Sequence, residues 1–304
     1  MRFIHERRLT TTTPRPILHK GLGSTPSARR VIMNELSSSA IESPAFVELR
    51  DVSLSYAADA DSILALDNLS LTVGKGQFIA VVGPSGCGKS TLMKVVTGLV
   101  LPSRGTVKVG GEAVTGPVKN VGMAFQNATL LPWRTIRDNV LLPFEIIRPH
   151  RHKLRAERTY YVGLVQRLLN TVGLAGFSEK YSWQLSGGMQ QRANLCRAIV
   201  HQPSLLMLDE PFASLDAFTR EELWFVMQDL WLENKFTAIL VTHDLREAVL
   251  LADRVIVISP RPGHVIYEAD VALPRPRTLE TTYSPLFTDL VHELREKIRP
   301  GQQG

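Results

Sequence analysis

Short apolar runs punctuate this chain and set its architecture. F-I-A-V-V (78–82) is apolar and β-branched without interruption, which predicts a strand buried on both faces. P-S-L-L-M-L-D-E-P (203–211), T-A-I-L-V-T-H-D (237–244) and R-V-I-V-I-S (254–259) predict three more strands around apolar centres. Elsewhere the pattern alternates. F-V-E-L-R-D-V-S-L-S-Y (46–56) and I-L-A-L-D-N-L-S-L-T-V (63–73) predict an antiparallel β layer, with a break near Arg50-Asp51 and a polar turn at Ala58–Ser62. G-T-V-K-V-G-G (105–111), N-V-G-M-A-F-Q (120–126) and H-V-I-Y-E-A-D-V (264–271) predict further strands.

Helical patterns fill the intervals. T-L-M-K-V-V-T-G-L (91–99) reads as a short helix stopped by Gly98, and Thr135 is placed to cap another. Residues 152–172 repeat apolar positions at helical spacing between arginines, which predicts an inserted helical region with a solvated basic face. A helix begins near Phe218, and an amphipathic one spans 285–299. The result is an α/β fold: residues 1–45 as an extension without periodicity, 46–275 as the main domain with helical residues about 127–200 inserted, and 276–304 as a helical tail.

The strand at 78–82 runs straight into Gly83-Pro84-Ser85-Gly86-Cys87-Gly88-Lys89-Ser90-Thr91. This G-x-x-x-x-G-K-S pattern fits a phosphate-binding loop, in which small residues let backbone N–H groups converge on a phosphate at a helix N-terminus. Lys89 would reach the β- and γ-phosphates and Ser90 would hold Mg²⁺. A second anion-binding turn is expected at L-S-G-G-M-Q-Q-R (185–192), where Ser186 is a natural N-cap and Gly187 and Gly188 leave N–H groups open.

Three strand ends carry further polar groups, where α/β folds bind ligands. Asp209 would bind Mg²⁺ through its water, and Glu210 would polarise a water attacking the γ-phosphate. His243 occupies the place of a γ-phosphate sensor, and Gln126 ends the strand at 120–126. Tyr56 is either ordinary core or a platform for an adenine ring.

Charge and cysteines narrow the picture. The net charge of +6 resides in residues 1–32, which hold seven basic residues against one acidic, so the folded part is neutral and offers no argument for nucleic acid. That segment reads as a transit-like peptide, a plain tail, or sequence preceding a native start at Met33, the last two being favoured. No apolar run approaches the roughly 18–20 residues needed to cross a bilayer. Cys87 and Cys196 suit a reducing compartment, with Cys87 as a small loop filler whose place at a helix start makes alkylation sensitivity conceivable.

Taken together, these motifs resemble the ATP-binding subunit of ATP-binding-cassette (ABC) transporters over about residues 46–275. The resemblance implies a phosphate-loop ATPase with a RecA-like core, an antiparallel β subdomain and an inserted helical subdomain. It places the adenine-stacking aromatic on Tyr56, the glutamine-loop residue, also a Mg²⁺ ligand, on Gln126, the signature on Leu185–Gln190, the connection after the acidic pair on Ser214-Leu215-Asp216 and the switch on His243. It implies ATP and Mg²⁺ as cofactors, and a head-to-tail homodimer in which Ser186, Gly187, Gly188 and Gln190 of one subunit cap the nucleotide of the other.

A finer likeness lies in L-L-P-W-R-T-I-R-D-N-V (130–140), the R-P-G turn (261–263) and L-P-R-P-R (273–277), which are similar to the bacterial uptake group for nitrate, sulfonates and taurine. That implies a separate integral membrane permease meeting the chain near Leu131–Arg134, a periplasmic or surface solute-binding protein, and a place on the cytoplasmic face of the cell membrane. Trp133 is read as part of the permease contact or as core. The alternatives are a soluble cassette ATPase acting on nucleic acid, ribosomes or cluster assembly, and the ATPase of an exporter.

Overall fold

The apolar runs assemble into one parallel sheet, because a strand with apolar side chains on both sides must be covered on both sides. A computed structural model describes residues 45–57 and 62–299, all within the unit Ser43–Gly304. The readings made for residues 1–44 and for the turn at 58–61 lie outside the described residues. In chain order the strands are β1 (Ala45–Ala57), β2 (Ser62–Gly74), β3 (Phe78–Val82), β4 (Arg104–Val109), β5 (Glu112–Ala113), β6 (Val121–Phe125), β7 (Leu205–Asp209), β8 (Thr237–Thr242), β9 (Arg254–Ile258) and β10 (Val265–Asp270). The α-helices are α1 (Lys89–Val96), α2 (Ile136–Ile146), α3 (His150–Lys153), α4 (Arg158–Thr171), α5 (Gly187–Ile199), α6 (Ala217–Asn234), α7 (Leu245–Leu251) and α8 (Pro285–Ile298).

Six strands run in the order β10-β9-β3-β8-β7-β6, parallel except for β10 at one edge. Alternate residues of β3 serve two cores. Phe78, Ala80 and Val82 face the side carrying α5, α6 and α7, while Ile79 and Val81 face α1 and the second sheet. That second sheet is antiparallel, in the order β2-β1-β4-β5. Helix α1 lies between the two sheets, burying Leu92, Met93, Val95 and Val96, so the phosphate loop that precedes it is gripped from both sides.

One expectation for β1 is corrected. The strand does not break at Arg50-Asp51; it bulges. Its register passes from Leu49 opposite Leu71 to Val52 opposite Leu69, one residue too many on the β1 side. Asp51 absorbs the extra residue at φ 50°, and its N–H donates to Ser70 Oγ at 2.9 Å.

The helical insertion follows its apolar stripe. Tyr161, Val165 and Leu169, four apart on α4, are buried, while Arg158 and Arg167 of the same helix are exposed. Thr135 caps α2 by accepting from the Asp138 N–H at 3.2 Å. Trp133 is 71% exposed, so the core reading of that residue is excluded. No helix among the described residues is long and apolar enough to cross a membrane.

Just beyond α5, His201 is buried, and neither ring nitrogen has a hydrogen-bond partner among the described residues. Burial pulls its pKa down to about 4, below the ordinary value of 6.5. The folded state therefore refuses a proton that the unfolded chain accepts. Stability from this group is complete above pH 6.5 and is lost as pH falls toward 4. Replacing His201 with Leu should shrink the stability lost between pH 7 and pH 5 by about 2 kcal/mol, as read by urea unfolding at each pH. Equal losses in both proteins would refute the assignment.

Candidate functional site

All five parallel strands point their carboxyl ends to one rim, which is why residues far apart in sequence meet there. The phosphate loop follows β3, Glu210 follows β7 and His243 follows β8. The turn holding Arg261 follows β9, and Gln126 follows β6. A cavity of about 460 Å³ opens at this rim, within the range for small-molecule sites. Its floor is the loop Ser85–Thr91; Tyr56, Ile63 and Ala65 form the wall from the antiparallel sheet, and Glu210 and Arg261 complete it.

The loop holds its shape by backbone geometry. Gly88 sits at φ 105°, and a Cβ there would stand 2.8 Å from the Ala65 carbonyl oxygen, so no other residue fits. It precedes α1 without any side-chain cap, leaving the first N–H groups of the helix free for an anion. Lys89 is buried, and its Nζ donates to the Gly83 and Pro84 carbonyls at 3.0 Å each. Cys87 turns inward, with Sγ 3.8 Å from that Nζ. Burial raises its thiol above the ordinary value despite the lysine, so the loop-filler reading fits and the alkylation-prone reading does not.

The acidic groups lie against the loop. Ser90 Oγ donates to Asp209 Oδ1 at 3.4 Å. Burial lifts the Asp209 carboxyl above its usual range; the Ser90 hydrogen bond opposes that shift and the Glu210 charge reinforces it. The Asp209 carboxylate and the Ser90 hydroxyl are hard oxygen donors of the kind Mg²⁺ prefers. Glu210 adopts φ 45°, held by its N–H donating to the Val241 carbonyl at 2.9 Å. Its Oε2 lies 3.0 Å from His243 Nδ1. A carboxylate oxygen only accepts, so Nδ1 carries the hydrogen of this contact.

Tyr56 is exposed at the mouth, and its hydroxyl donates to Thr91 Oγ1 at 3.4 Å. Its ring lines the cavity rather than the core. Gln126 stands apart: it is exposed beyond the edge strand, and only its backbone oxygen is engaged, by Ser214 Oγ at 3.5 Å. The preceding carbonyl, of Phe125, accepts from Gln191 Nε2 and Asn194 Nδ2 on α5, tying this strand end to the helix behind the signature. Ser186 caps α5 by accepting from the Met189 N–H at 3.3 Å, and Gln190 donates to the Leu185 carbonyl. Ser186 and Gly187 are exposed, Gly188 is buried, and neither they nor Gln190 line the cavity.

Arg261 is the charged cavity residue that the sequence reading missed, along with Ile63 and Ala65. The R-P-G turn follows a buried parallel strand, and the strand-end rule that located His243 applied equally to it.

The sequence profile of the ABC transporter family matches residues 66–213. A putative ATP-binding protein of Brucella abortus is 44% identical over 224 residues, covering 74% of this chain and 84% of its own length. The chain belongs to the ABC transporter family. Other ABC relatives include the aliphatic sulfonates import ATP-binding protein of Bacillus thuringiensis, 37% identical over 237 residues, covering 77% of this chain and 90% of its own. The taurine import ATP-binding protein of Yersinia pestis is 42% identical over 202 residues, covering 66% and 76% respectively. Among solved structures, a dimeric ABC cassette in a post-hydrolysis state with ADP and Pi is 28% identical and covers 75% of this chain and 100% of that one, with a TM-score of 0.63. The chain thus has an ABC ATPase fold, a phosphate-loop ATPase core with an antiparallel sheet and a helical insertion.

Proposed function

We propose that this chain is the ATP-hydrolysing subunit of an importer that takes up a small solute such as a sulfonate, taurine or nitrate through a separate permease. The observation that carries the motor assignment is the Glu210–His243 contact at the edge of a phosphate-loop cavity. It supports reading Glu210 as the base and His243 as the group that orients it, Glu210 lining the same cavity as Lys89 and Ser90, where a γ-phosphate would lie. The import relatives supply the direction of transport and the solute class.

In this reading Lys89 and the loop N–H groups bind the phosphates, Tyr56 stacks on adenine, and Glu210 takes the proton of the attacking water while His243 holds the carboxylate in place. Ser90, Asp209 through its water, and Gln126 would hold Mg²⁺, which neutralises phosphate charge when bound. The exposed start of α5 is available to a second copy, so that Ser186, Gly187, Gly188 and Gln190 of one subunit close the cavity of the other; the dimeric cassette supports this arrangement. Closure moves α5, and the bonds from Gln191 and Asn194 to the Phe125 carbonyl carry that movement to Gln126 and the loop beyond.

The permease surface lies on the helical insertion. Trp133 is exposed, and the bridge between Thr135 and Tyr181 brings its loop beside the stacked, exposed Tyr181 and Trp183, whose ring centroids are 5.8 Å apart. Exposed aromatic groups in one patch suit a partner interface. The chain would sit on the cytoplasmic face of the membrane, supplied from the other side by a solute-binding protein.

Cells lacking this chain should lose uptake of one solute among nitrate, taurine and alkanesulfonates, regained with the wild-type protein and not with Glu210→Gln. Unchanged uptake of all of them would refute the solute class; restoration by Glu210→Gln would refute the motor assignment.

A further inference from the structure

The turn between β9 and β10 is built with more care than a connection between an edge strand and its neighbour requires. Ser259 is buried; its hydroxyl donates to the Pro262 carbonyl at 2.9 Å and accepts from the His264 N–H at 3.0 Å. The Gly263 N–H donates to the Ala65 carbonyl at 3.0 Å, and the Gly263 carbonyl accepts from the Asp67 N–H at 3.1 Å, which pins the turn to β2. On its other side the turn touches the phosphate loop. A Cβ on Gly263 would stand 2.2 Å from the Cys87 carbonyl oxygen, so only glycine allows this approach. The turn is a wedge between the antiparallel sheet and the phosphate loop.

What the wedge presents is Arg261. Its Nε donates to the Gly86 carbonyl at 3.3 Å, and the side chain lines the cavity with Tyr56, Lys89 and Glu210. Arg220, Arg254 and Arg275 each meet a carboxylate, of Asp244, Glu268 and Asp253 respectively. Among the described residues Arg261 has no carboxylate within ion-pair distance. The bond to Gly86 occupies one of five guanidinium donors, and the remaining four form a planar fork suited to phosphate oxygens.

We infer that Arg261 is a nucleotide-binding residue: the β9–β10 turn delivers its guanidinium over Gly86 to the phosphate chain of ATP and ADP. The inference rests on the reading of the cavity as the ATP site. Phosphate is favoured over the base because Gly86 belongs to the loop that cradles phosphate, whereas Tyr56 and Ile63 give the opposite wall its apolar surface. Lys89 spends two of its three donors on loop carbonyls, which leaves most of the phosphate oxygens to be met by other donors.

The test is calorimetric titration of the full chain with ADP and with a non-hydrolysable ATP analogue, both with Mg²⁺, alongside melting curves without nucleotide. Arg261→Gln should weaken both ligands by about tenfold, the contribution of one charge-assisted hydrogen bond, and Arg261→Lys should fall between. Wild type should lose affinity more steeply with KCl than Arg261→Gln, and the melting temperatures without nucleotide should agree. Affinities of Arg261→Gln within twofold of wild type would overturn the inference. So would equal weakening in Gln and Lys variants together with lower melting temperatures, which describes a loop brace. Failure of the wild-type protein to bind either ligand would instead overturn the cavity reading itself.

Discussion

Glu210→Gln should lower ATP turnover by about a thousandfold, within the range of general-base contributions, while leaving ATP affinity within about twofold of wild type. The amide has the size and shape of the carboxylate. It can still accept from His243 Nδ1, now 3.0 Å away, and the backbone bond from Glu210 N–H to the Val241 carbonyl is untouched. What disappears is the basic oxygen. Because Lys89, the loop N–H groups and Tyr56 are unaffected, nucleotide binding should persist, and without hydrolysis an ATP-bound dimer should accumulate. Phosphate release at saturating ATP, with size-exclusion chromatography in ATP, reads both effects. Turnover within tenfold of wild type would remove Glu210 from the role of base.

The substitution is informative because Glu210 is held in a conformation that few residues adopt. A glutamate at φ 45° costs about 1–3 kcal/mol, which the surrounding strands must supply. Position on the strand end and contact with His243 are therefore consequences of the sheet.

Such rim residues were legible in the sequence to the extent that they follow unmistakable strands. β3 is apolar throughout, β8 is apolar between its terminal threonines, both are buried throughout, and β7 is buried up to Asp209, so the pattern alone locates the groups just after them. N-caps were legible for a similar reason: Thr135 and Ser186 are short hydroxyl side chains immediately before helical patterns, and both accept from the third N–H onward. The Arg50-Asp51 bulge was not legible as a bulge. Polar residues in mid-strand look like an interruption unless the register of the partner is known, and that register belongs to β2. Arg261 follows a buried strand as His243 does, but that it reaches the phosphate loop depends on a turn packing against a residue 175 positions away, which the strand pattern does not show. Gln126 shows the converse: its sequence position was clear, but β6 is the edge strand, so a single copy leaves its side chain away from the cavity.

The same limit concealed Arg277, whose replacement by methionine should cost about 2–4 kcal/mol, on the scale of several buried acceptors losing their donor. Sequence alone gave L-P-R-P-R only as a likeness to one transporter group. In the fold its two arginines close the end of α7. Arg277 is 1% exposed; its Nη1 lies 2.7–2.8 Å from the carbonyl oxygens of Val249, Leu250 and Ala252, and Nη2 lies 3.3 Å from those of Val271 and Leu273. Arg275 takes the Leu251 carbonyl and pairs with Asp253 at 2.8 Å. The carbonyls from Val249 to Ala252, which a helix end leaves without intrahelical partners, are thus all met by guanidinium groups, and positive charge sits at the negative end of the helix. At its other end α7 is capped by Asp244, the residue after His243. A loosened α7 would therefore disturb His243 as well as the core. In Arg277→Met the melting temperature should fall on the order of 10 °C, given about 2–4 °C per kcal/mol for a domain of this size. Arg277→Lys, with charge but fewer donors, should lose less. ATP turnover at a temperature where Arg277→Met remains folded should also drop, since the His243 backbone is anchored through the capped helix. A melting temperature within about 2 °C of wild type would show that these carbonyls find other partners and that the buried guanidinium contributes no net stability.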